Sequence, residues 1–477
     1  MSTPKILLGP LVGGLSHEGA KVWARADAQS TLYVWLASRA DGKDARLAGN
    51  VELAARDGHA GVVELTRLKP ETNYFYAVSL RKVRPKREEF HRFITFPKPG
   101  SRRSFSFVFG SCYLPPDEHG GKTMGEISRR VEADALRFGL LLGDQIYADI
   151  AAQNGLGRIA VTLEEYRTVY EYAWSRPAMR VLLPNLPLFM TLDDHEVDDD
   201  WHWRDPDRRW ADIPLHNKFL RWLKGIPPQQ RHLFPGRIRA ALKAYHEHQA
   251  MHAPEMLIPL EPDESGKFRF ERQDEGSLAY SFTCGGAAFF VLDTRTMRVK
   301  GRERSLLSEG QWKVLQEWFL SVREQYPVKF LVSSGTVLHP FWLDLTRDRW
   351  TGFPAERERL LEFLAVNEIE GVRILTGDLH SAHAVSAELK CPSGRRIPIW
   401  EFCSTPFEQT PMFISNTYLP IFSKWIGNQK KLFHQTGQNF GIVHVDFDST
   451  PPRVSFSLHY NKDGWKTLPS VETVNRV

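Results

Sequence analysis

The sequence predicts a two-part chain, a small all-β domain followed by an α/β domain. Five short segments before residue 98 alternate apolar and polar residues and are separated by Gly, Asn, Asp or Pro, as antiparallel strands are. After residue 104, apolar strands alternate with longer helical segments. The stretch TFPKPGSRRS between them has the composition of a linker. We therefore expect a β-sandwich of the fibronectin or immunoglobulin type at residues 1–98 and the α/β domain at residues 104–477.

Two helices are predicted in the second domain. In LSEGQWKVLQEWFLSVRE, apolar residues recur at helical spacing, and Ser308 and Gln311 have the spacing of a capping box. The segment PAERERLLEFLAVNE is charged at its start and apolar within, which also predicts a helix. Residues 201–236 are rich in Arg, Pro and Trp and are interpreted as a long irregular insertion, to which the sequence assigns no role.

The composition is that of a folded protein. Of 477 residues, 42% are hydrophobic and 25% are charged, and the net charge is +5. That excess is too small to predict specific nucleic-acid binding, and no apolar run reaches the roughly 20 residues that span a membrane. We expect a monomer, since nothing in the sequence indicates an oligomer.

The cysteines and the N-terminal segment bear on the compartment. Four cysteines lie far apart without a CxxC pair, which predicts neither a zinc knuckle nor a disulfide scaffold. The segment MSTPKILLGPLVGG has no signal-peptide or twin-arginine pattern. The expectation is a cytoplasmic protein, or a secreted one if a leader has been removed.

Five apolar runs in the second domain end in residues that can bind metal or phosphate. Ligands of α/β folds lie at the carboxyl ends of strands, where distant parts of the chain converge. Carboxylates follow several of these runs, and oxygen ligands suit hard cations, while a histidine adds a nitrogen donor. The sequence therefore predicts a site for two or three cations, formed by FVFGSCY, LLLGDQIY, LFMTLDDHE, FFVLDTR and RILTGDLHSAH.

The third of these runs opens an acidic segment, LDDHEVDDDW, with six carboxylates in ten positions. Like charges packed so closely are stable only if they are solvated or neutralised by cations. An acidic surface loop is the alternative interpretation. Its place after a strand favours a segment that is partly metal ligand and partly support for the ligands.

The five motifs resemble those of the PhoD-like alkaline phosphatases, a branch of the metallophosphoesterases. They occur in the family's order and approximate spacing, and the resemblance covers nearly the whole chain, including the segment GPLVGGLSHEGAKVWAR in the first domain. It implies a four-layer αββα metallophosphatase domain with a metal cluster between its sheets. The motifs are GSC at 110–112, GDQIYAD at 143–149, DDHEV at 193–197, DTR at 293–295 and GDLHSA at 377–382.

The resemblance also implies a set of metal ligands. Ferric iron would be bound by the Cys112 thiolate, the Tyr147 phenolate and the His380 imidazole. Asp144 would bridge iron to calcium, and Asp378 would bind calcium. The implied cofactors are one Fe³⁺ with one or two Ca²⁺ ions, or other divalent metals in their place.

Three further residues complete the site that the resemblance implies. Asp194 takes the position at which other metallophosphoesterases have an asparagine ligand. His195 would face the scissile phosphate as an acid or an electrostatic stabiliser, and Arg295 would hold phosphate oxygens with its planar fork. Taken alone, His195 could instead orient a carboxylate, and Arg295 could belong to a surface ion pair.

Two points of the pattern remain open in the sequence. Where the family often has asparagines, this chain has Asp198-Asp199-Asp200, which could add a calcium ligand, shift the metal preference or face solvent. His339 is a candidate for the lone histidine that related enzymes place before the last motif. His248 and His252 have the spacing of zinc ligands on a helix, but without a third ligand nearby we interpret them as packing residues.

The functional expectation is a phosphoric ester hydrolase that uses a metal-bound hydroxide on phosphate monoesters and diesters. One alternative is a dedicated phosphodiesterase or a phospholipase D-like hydrolase. Another is a non-catalytic carbohydrate-binding or protein-binding protein that has kept the fold. A complete set of Asp144, His195, Asp378 and His380 speaks against the latter, because a binding surface does not need it.

Overall fold

A computed structural model describes residues 3–115, 121–201, 233–258, 277–299, 304–339, 348–411 and 420–474. Most of the insertion expected at residues 201–236 lies outside these ranges. None of the helices in the described ranges combines the length and apolar character needed to cross a bilayer.

Seven antiparallel strands in the first hundred residues form two sheets that enclose a shared core. One sheet has the order β1-β2-β5 and the other the order β4-β3-β6-β7. Alternation in the sequence translates directly into burial, since Leu32 and Val34 on one sheet pack with Val22 on the other. The strands are β1 Ile6–Gly13, β2 Ala20–Ala26, β3 Ser30–Ala37, β4 Arg46–Leu53, β5 Ala60–Leu65, β6 Asn73–Ser79 and β7 His91–Ile94.

The first sheet of the larger part has the order β10-β9-β8-β19-β20-β21, with β22 also paired to β20. Its strands β8, β9 and β10 are parallel, so their carboxyl ends lie along one edge. The strands are β8 Phe105–Gly110, β9 Leu136–Leu141, β10 Leu188–Met190, β19 Asn439–Asp446, β20 Arg453–Asn461, β21 Trp465–Thr467 and β22 Val471–Val474.

The second sheet has eight strands in the order β11-β12-β13-β14-β15-β17-β16-β18. Strands β13, β14 and β15 are parallel and fully buried, which explains their mainly apolar sequences, interrupted by Lys329 in β14 and Arg373 in β15. The strands are β11 Met256–Ile258, β12 Ser277–Cys284, β13 Ala287–Val291, β14 Val328–Val332, β15 Val372–Thr376, β16 Ala382–Lys390, β17 Arg396–Cys403 and β18 Ile426–Gln435.

The two sheets pack face to face through a core of phenylalanines. Phe107 on β8 lies with its ring centroid 5.5 Å from that of Phe289 on β13 and 5.3 Å from that of Phe330 on β14, both edge to face. These contacts combine burial of large apolar surfaces with a favourable ring geometry. The sheets are thereby held together directly below the edge at which the parallel strands end.

Helices cover the outer face of each sheet and complete four layers. Against the first sheet pack the helices Lys122–Ala133, Leu163–Trp174, Pro177–Asn185 and Pro235–His248; against the second pack Glu309–Val322 and Pro354–Val366. The predicted αββα fold is confirmed. The predicted capping box is half formed: the Ser308 hydroxyl accepts from the Gln311 amide at 3.1 Å, but the Gln311 side chain turns to the backbone of Asp293.

The small β-sheet domain is attached to the helical layer by buried polar contacts. The indole nitrogen of Trp23 donates to the carbonyl of Glu247 at 2.8 Å, at the end of the helix Pro235–His248. Lys243 of that helix pairs with Asp57 at 2.8 Å. Because Trp23 is fully buried, this contact is part of the protein's core.

Candidate metal centre

Residues from both sheets meet where the parallel strands end. Cys112 follows β8, Asp144 follows β9, Asp194 follows β10, and Asp378 and His380 follow β15. Gly143 permits the close approach of two of these segments, since a Cβ at its φ of +94° would lie 2.3 Å from Cβ of Asp193. The convergence predicted from the strand ends is therefore present.

The backbone at this edge is strained. Five non-glycine residues of the site have left-handed φ angles between +54° and +65°, namely Cys112, Asp144, Asp200, Asp378 and His380. Such conformations are uncommon outside glycine and are concentrated at functional sites, where the surrounding fold imposes them. These backbone conformations occur where side chains from separate strands come together.

The first donor group surrounds one oxygen of Asp144. The thiol of Cys112 lies 3.3 Å and the hydroxyl of Tyr147 3.4 Å from Oδ2 of Asp144, and the Tyr147 hydroxyl is 3.4 Å from Nε2 of His380. Cys112, Asp144 and His380 each offer a ligand atom within 4.8 Å of the others. All four residues predicted as iron-site ligands are thus brought together.

Burial raises the free energy of the ionised forms of these side chains. It raises the pKa of the Cys112 thiol well above its usual value, and the carboxylates of Asp144 and Asp378 raise it further. Burial likewise raises the pKa of Tyr147 and of Asp144. A bound cation would reverse this balance, because it stabilises the anionic forms that ligation requires. The donor chemistry fits a metal ion.

Two further donor groups continue from the first. Asp144, Asp194 and His195 form the second, and Asp194, Asp200 and Asp348 form the third, each within 4.8 Å. Asp144 belongs to the first two groups and Asp194 to the last two. The result is a continuous row of donors in which each junction is a shared carboxylate, as in sites that hold neighbouring metal ions.

The three consecutive aspartates have different environments. Asp198 accepts from Arg237 at 2.8 Å, and both side chains are buried, so this carboxylate is structural. The side chain of Asp200 joins the third donor group, and its backbone amide donates to Oδ2 of Asp194 at 2.8 Å. The backbone amide of Asp199 donates to Asp149 at 3.0 Å. The Asp198 carboxylate therefore belongs to an ion pair and the Asp200 carboxylate to the donor row.

His195 is oriented by a carboxylate that the sequence did not single out. Its Nδ1 lies 2.8 Å from Oδ1 of Asp149, the last residue of the second motif. Burial opposes protonation, but the charges of Asp149, Asp194 and Asp144 outweigh it and raise the pKa of His195 well above its usual value. Asp149 could have been found from the sequence, because it lies in the same motif as Asp144.

The structure argues against the predicted contact between Arg295 and phosphate. Its side chain is 1% exposed, Nε donates to Asp193, and both terminal nitrogens donate to Asp348 at 2.9 and 2.7 Å. A substrate could reach this guanidinium only by displacing buried carboxylates, at a high cost. Arg295 therefore supports Asp193 and two members of the donor row, Asp348 and, at 3.6 Å, Asp194.

A second arginine, Arg349, pairs with a carboxylate that the sequence predicted as a ligand. Nε of Arg349 is 2.7 Å from Oδ2 of Asp378, and the two residues form an ion pair. Neither Arg349 nor Asp348 was predicted, because the sequence pattern of an apolar run ending in polar residues, which identified the other residues, was not recognised before them. Asp348 and Arg349 lie near the acidic motifs in the folded chain but far from them in the sequence.

Glu196 connects the strand-end segments to one another. One carboxylate oxygen accepts the backbone amides of Asp144 at 3.0 Å and Asp193 at 3.1 Å. The other accepts the amide of Gln145 at 2.8 Å and the side chain of Gln249 at 3.1 Å. One of its four partners is the backbone amide of Asp144, so buried Glu196 positions the shared Asp144 carboxylate. Glu196 is not itself a member of any of the three donor groups.

Replacing Glu196 by Gln is expected to lower metal affinity about 10- to 100-fold, the usual effect of losing such a supporting residue. An amide keeps only one acceptor oxygen, so two of the four donors face an NH₂ group. Gln249→Leu, which removes a single donor, is the comparison and should have a smaller effect. Metal titration followed by elemental analysis measures both, and equal affinity in wild type and Glu196→Gln would refute the role.

Three other histidines that the sequence singled out lie outside the donor groups of the described residues. His339 is fully buried with its ring 4.2 Å from that of His383, and it belongs to none of the donor groups found in the described ranges, so the structure does not support it as a ligand. His248 stacks on Tyr170 at 4.2 Å, and His252 bonds to the carbonyl of His248 at 2.8 Å. The interpretation of His248 and His252 as packing residues agrees with these contacts.

The chain matches the models of two known protein families. The model of the PhoD-like phosphatase family matches residues 107–456. The chain belongs to the PhoD-like phosphatase family. A domain of unknown function, DUF7800, matches residues 3–96.

Individual relatives agree with the family assignment. The chain is 26% identical over 360 residues to alkaline phosphatase D of Bacillus subtilis (strain 168), a match that covers 68% of this chain and 54% of that protein. The chain thus spans about half the length of this relative. A structure of PhoD matches with a TM-score of 0.72 and 19% identity, over 99% of this chain and 91% of that one.

A purple acid phosphatase from yellow lupin (Lupinus luteus) seeds shares the fold more distantly. Its TM-score is 0.59 at 13% identity, over 99% of this chain and 74% of that one. At this identity the likeness concerns the fold alone. The donor row of this chain, together with its family membership, is what indicates metal-dependent chemistry.

Proposed function

We propose that this PhoD-like protein hydrolyses phosphate esters in a metal-dependent reaction. The observation that carries the proposal is the row of three donor groups joined by Asp144 and Asp194 at the carboxyl ends of the strands. A shared carboxylate between adjacent cations is the arrangement by which two-metal hydrolases stabilise the attacking and leaving oxygens. A non-catalytic binding protein has no use for such a row.

The ligand chemistry supports Fe³⁺ at the first group and Ca²⁺ along the rest of the row. Cys112, Tyr147 and Asp144 together would carry three negative charges when ionised, which balances a trivalent ion, and His380 adds a nitrogen donor. The third group offers only carboxylates, the ligands that calcium prefers. When bound, these ions would supply the positive charge that activates water and stabilises the transition state.

The chain's own residues handle the proton and the phosphate. We assign His195, held by Asp149, to proton transfer and not to metal binding: it keeps a proton that it can give to the leaving-group oxygen, and Asp144 and Asp194 are then the metal ligands of the second group. Buried carboxylates bind the guanidinium of Arg295. We therefore assign the guanidinium contact with phosphate to Arg349, which lies beside Asp378. Glu196 and Arg295 hold the carboxylates in place.

Hydrolysis of p-nitrophenyl phosphate and of its bis ester tests the proposed activity and separates the candidate substrate classes. Activity on the monoester comparable to that on the bis ester supports a general phosphatase, whereas strong preference for the bis ester identifies a dedicated phosphodiesterase. A fully metallated protein with neither activity would contradict the proposal and favour a binding role.

The proposed iron site predicts a coloured protein. Thiolate and phenolate ligands on ferric iron absorb visible light by transferring charge to the metal, whereas zinc or magnesium has no such transition. Tyr147→Phe removes only the hydroxyl and Cys112→Ser replaces the sulfur, so each should shift or bleach the band and lower the rate. The visible spectrum and iron content of the three proteins measure this, and Tyr113→Phe, at another buried tyrosine, is the control. A colourless, iron-free and fully active wild type would rule out ferric iron.

The His195–Asp149 pair predicts a pH dependence. Asp149 raises the pKa of His195, so the protonated acid persists to higher pH than it otherwise would. Asp149→Asn removes that charge and lowers the pKa of His195, so the alkaline limb of the kcat profile should move to lower pH, with a loss of about tenfold or more at high pH. His195→Gln should remove the limb altogether. An alkaline limb at the same pH in wild type and Asp149→Asn would show that another group titrates there.

A further inference from the structure

The positive charge of this chain is concentrated in its first hundred residues. Residues 1–100 contain 16 Lys and Arg against 10 Asp and Glu, so the remaining 377 residues have a net charge of −1 although the whole chain has +5. A charge asymmetry of this kind is typical of proteins in which one part contacts an anionic partner. The position of this charge in the N-terminal sheets indicates which surface would make such a contact.

Five of these cations lie in one loop, residues 81–87, which joins β6 to β7. We call it the basic loop; its sequence is RKVRPKR. Every one of its five Lys and Arg residues is exposed. Val83 in its centre is also 65% exposed, an unusual position for a β-branched apolar side chain.

The basic loop is held in place by its neighbours. The guanidinium of Arg84 donates to the carbonyl of Gly42, and the amide of Lys86 donates to Glu89 at 2.6 Å. The ring of Phe90 packs so closely on Gly42 that an added Cβ would lie 2.9 Å from it. These contacts fix the base of the loop and leave its charged side chains outward.

Most of the loop's charges are not neutralised within the protein. Arg81, Lys82, Lys86 and Arg87 form no ion pair with any residue in the described ranges. Four exposed cations and one exposed apolar side chain, on a loop with an anchored base, form a surface whose charged side chains make no ion pair within the part of the chain that the structure describes. Such charges repel one another unless an anionic surface approaches.

We propose that the basic loop docks this protein on membranes that contain anionic phospholipids. Clusters of four to eight Lys and Arg bind anionic headgroups electrostatically, and an exposed apolar side chain among them can enter the boundary with the acyl chains. Val83 is placed to make that contact. The role is separate from hydrolysis and assigns a function to the domain that precedes the metal centre.

Nucleic acid fits the loop less well. Single-stranded nucleic acids are bound by exposed aromatic side chains on which bases stack, and residues 81–87 contain none. Duplexes are read by an element that enters a groove, usually a helix, which this short loop does not provide. The exposed Val83, by contrast, suits the boundary with the acyl chains.

Sedimentation of the full chain with vesicles of phosphatidylcholine, with and without about 30% phosphatidylglycerol, tests the proposal. The main variant replaces Arg81, Lys82, Lys86 and Arg87 by Ser, and the matched control replaces four exposed lysines of the larger part, Lys313, Lys430, Lys462 and Lys466. Both variants lose four positive charges at exposed positions. A third variant, Val83→Ser, removes the apolar contact alone.

The expected result is binding to the anionic vesicles only, at least about tenfold weaker in the loop variant than in the lysine control. High salt should weaken binding, and Val83→Ser should reduce the part that resists salt. The proposal is overturned if the wild type does not bind, if the loop and control variants bind equally, or if the loop variant is impaired towards single-stranded DNA but not towards vesicles. Val83→Ser binding as well as wild type at high salt would overturn the apolar contact.

Discussion

Asp144→Asn is expected to abolish phosphate ester hydrolysis, by about a thousandfold or more, while leaving the fold intact. Asp144 is shared by two donor groups, so its loss weakens both metal positions at once. Asparagine preserves the side-chain shape and tolerates the residue's φ of +55°, which alanine would not. Metal content, circular dichroism and the rate with p-nitrophenyl phosphate measure the effect.

Asp448→Asn is the matched control, because Asp448 is exposed and lies just after a strand of the same sheet. It should keep the metal content and rate of the wild type. The shared-carboxylate arrangement is contradicted if Asp144→Asn retains more than a few per cent of the wild-type rate with its full complement of metal.

The second large effect concerns Arg295. Arg295→Met should reduce the free energy of unfolding by about 3–5 kcal/mol, because it leaves Asp193 buried without its guanidinium partner and removes one of the guanidinium groups paired with Asp348, which Arg298 still contacts. The methionine fills much of the same volume, so the lost charge is the main change. Urea unfolding of metal-free protein measures the effect without a compensating metal ion.

Arg359→Met provides the comparison, since that arginine pairs with Glu309 at the surface and should contribute no more than about 1 kcal/mol. The two interpretations of Arg295 differ in their kinetics. If Arg295→Met unfolds at the same urea concentration as wild type but has a raised KM, Arg295 contacts the substrate and the assignment to Arg349 is wrong.

The strand ends were predictable because two simple rules determine them. Buried parallel strands have continuous apolar sequences, and the polar residues after them must emerge at the same edge of the sheet. Cys112, Asp144, Asp194 and His380 were located in this way and lie in the donor groups, whereas Asp378, located by the same rule, belongs to none of the groups in the described ranges and pairs with Arg349. The closing strands β19 to β22 were not assigned; β19 joins the sheet by pairing with β8, more than 300 residues away in the sequence, and β20 to β22 extend the sheet from β19.

Side-chain direction is what the sequence could not provide. Arg295 follows a strand of the site, yet its guanidinium is held by Asp193 and by Asp348 of the donor row. Asp198 and Asp200 are two residues apart, yet one pairs with Arg237 and the other joins Asp194. Such differences depend on which side of a turn a residue faces and on partners elsewhere in the chain.

Metal dependence is the central claim, and activity after metal removal and restoration tests it most directly. Protein stripped by a chelator should lose hydrolysis of p-nitrophenyl phosphate, and added iron and calcium should restore the rate in proportion to the metal bound at the row from Cys112 to Asp348. A stripped protein that elemental analysis shows to be free of metal, yet hydrolyses the ester at the full rate, would contradict the account.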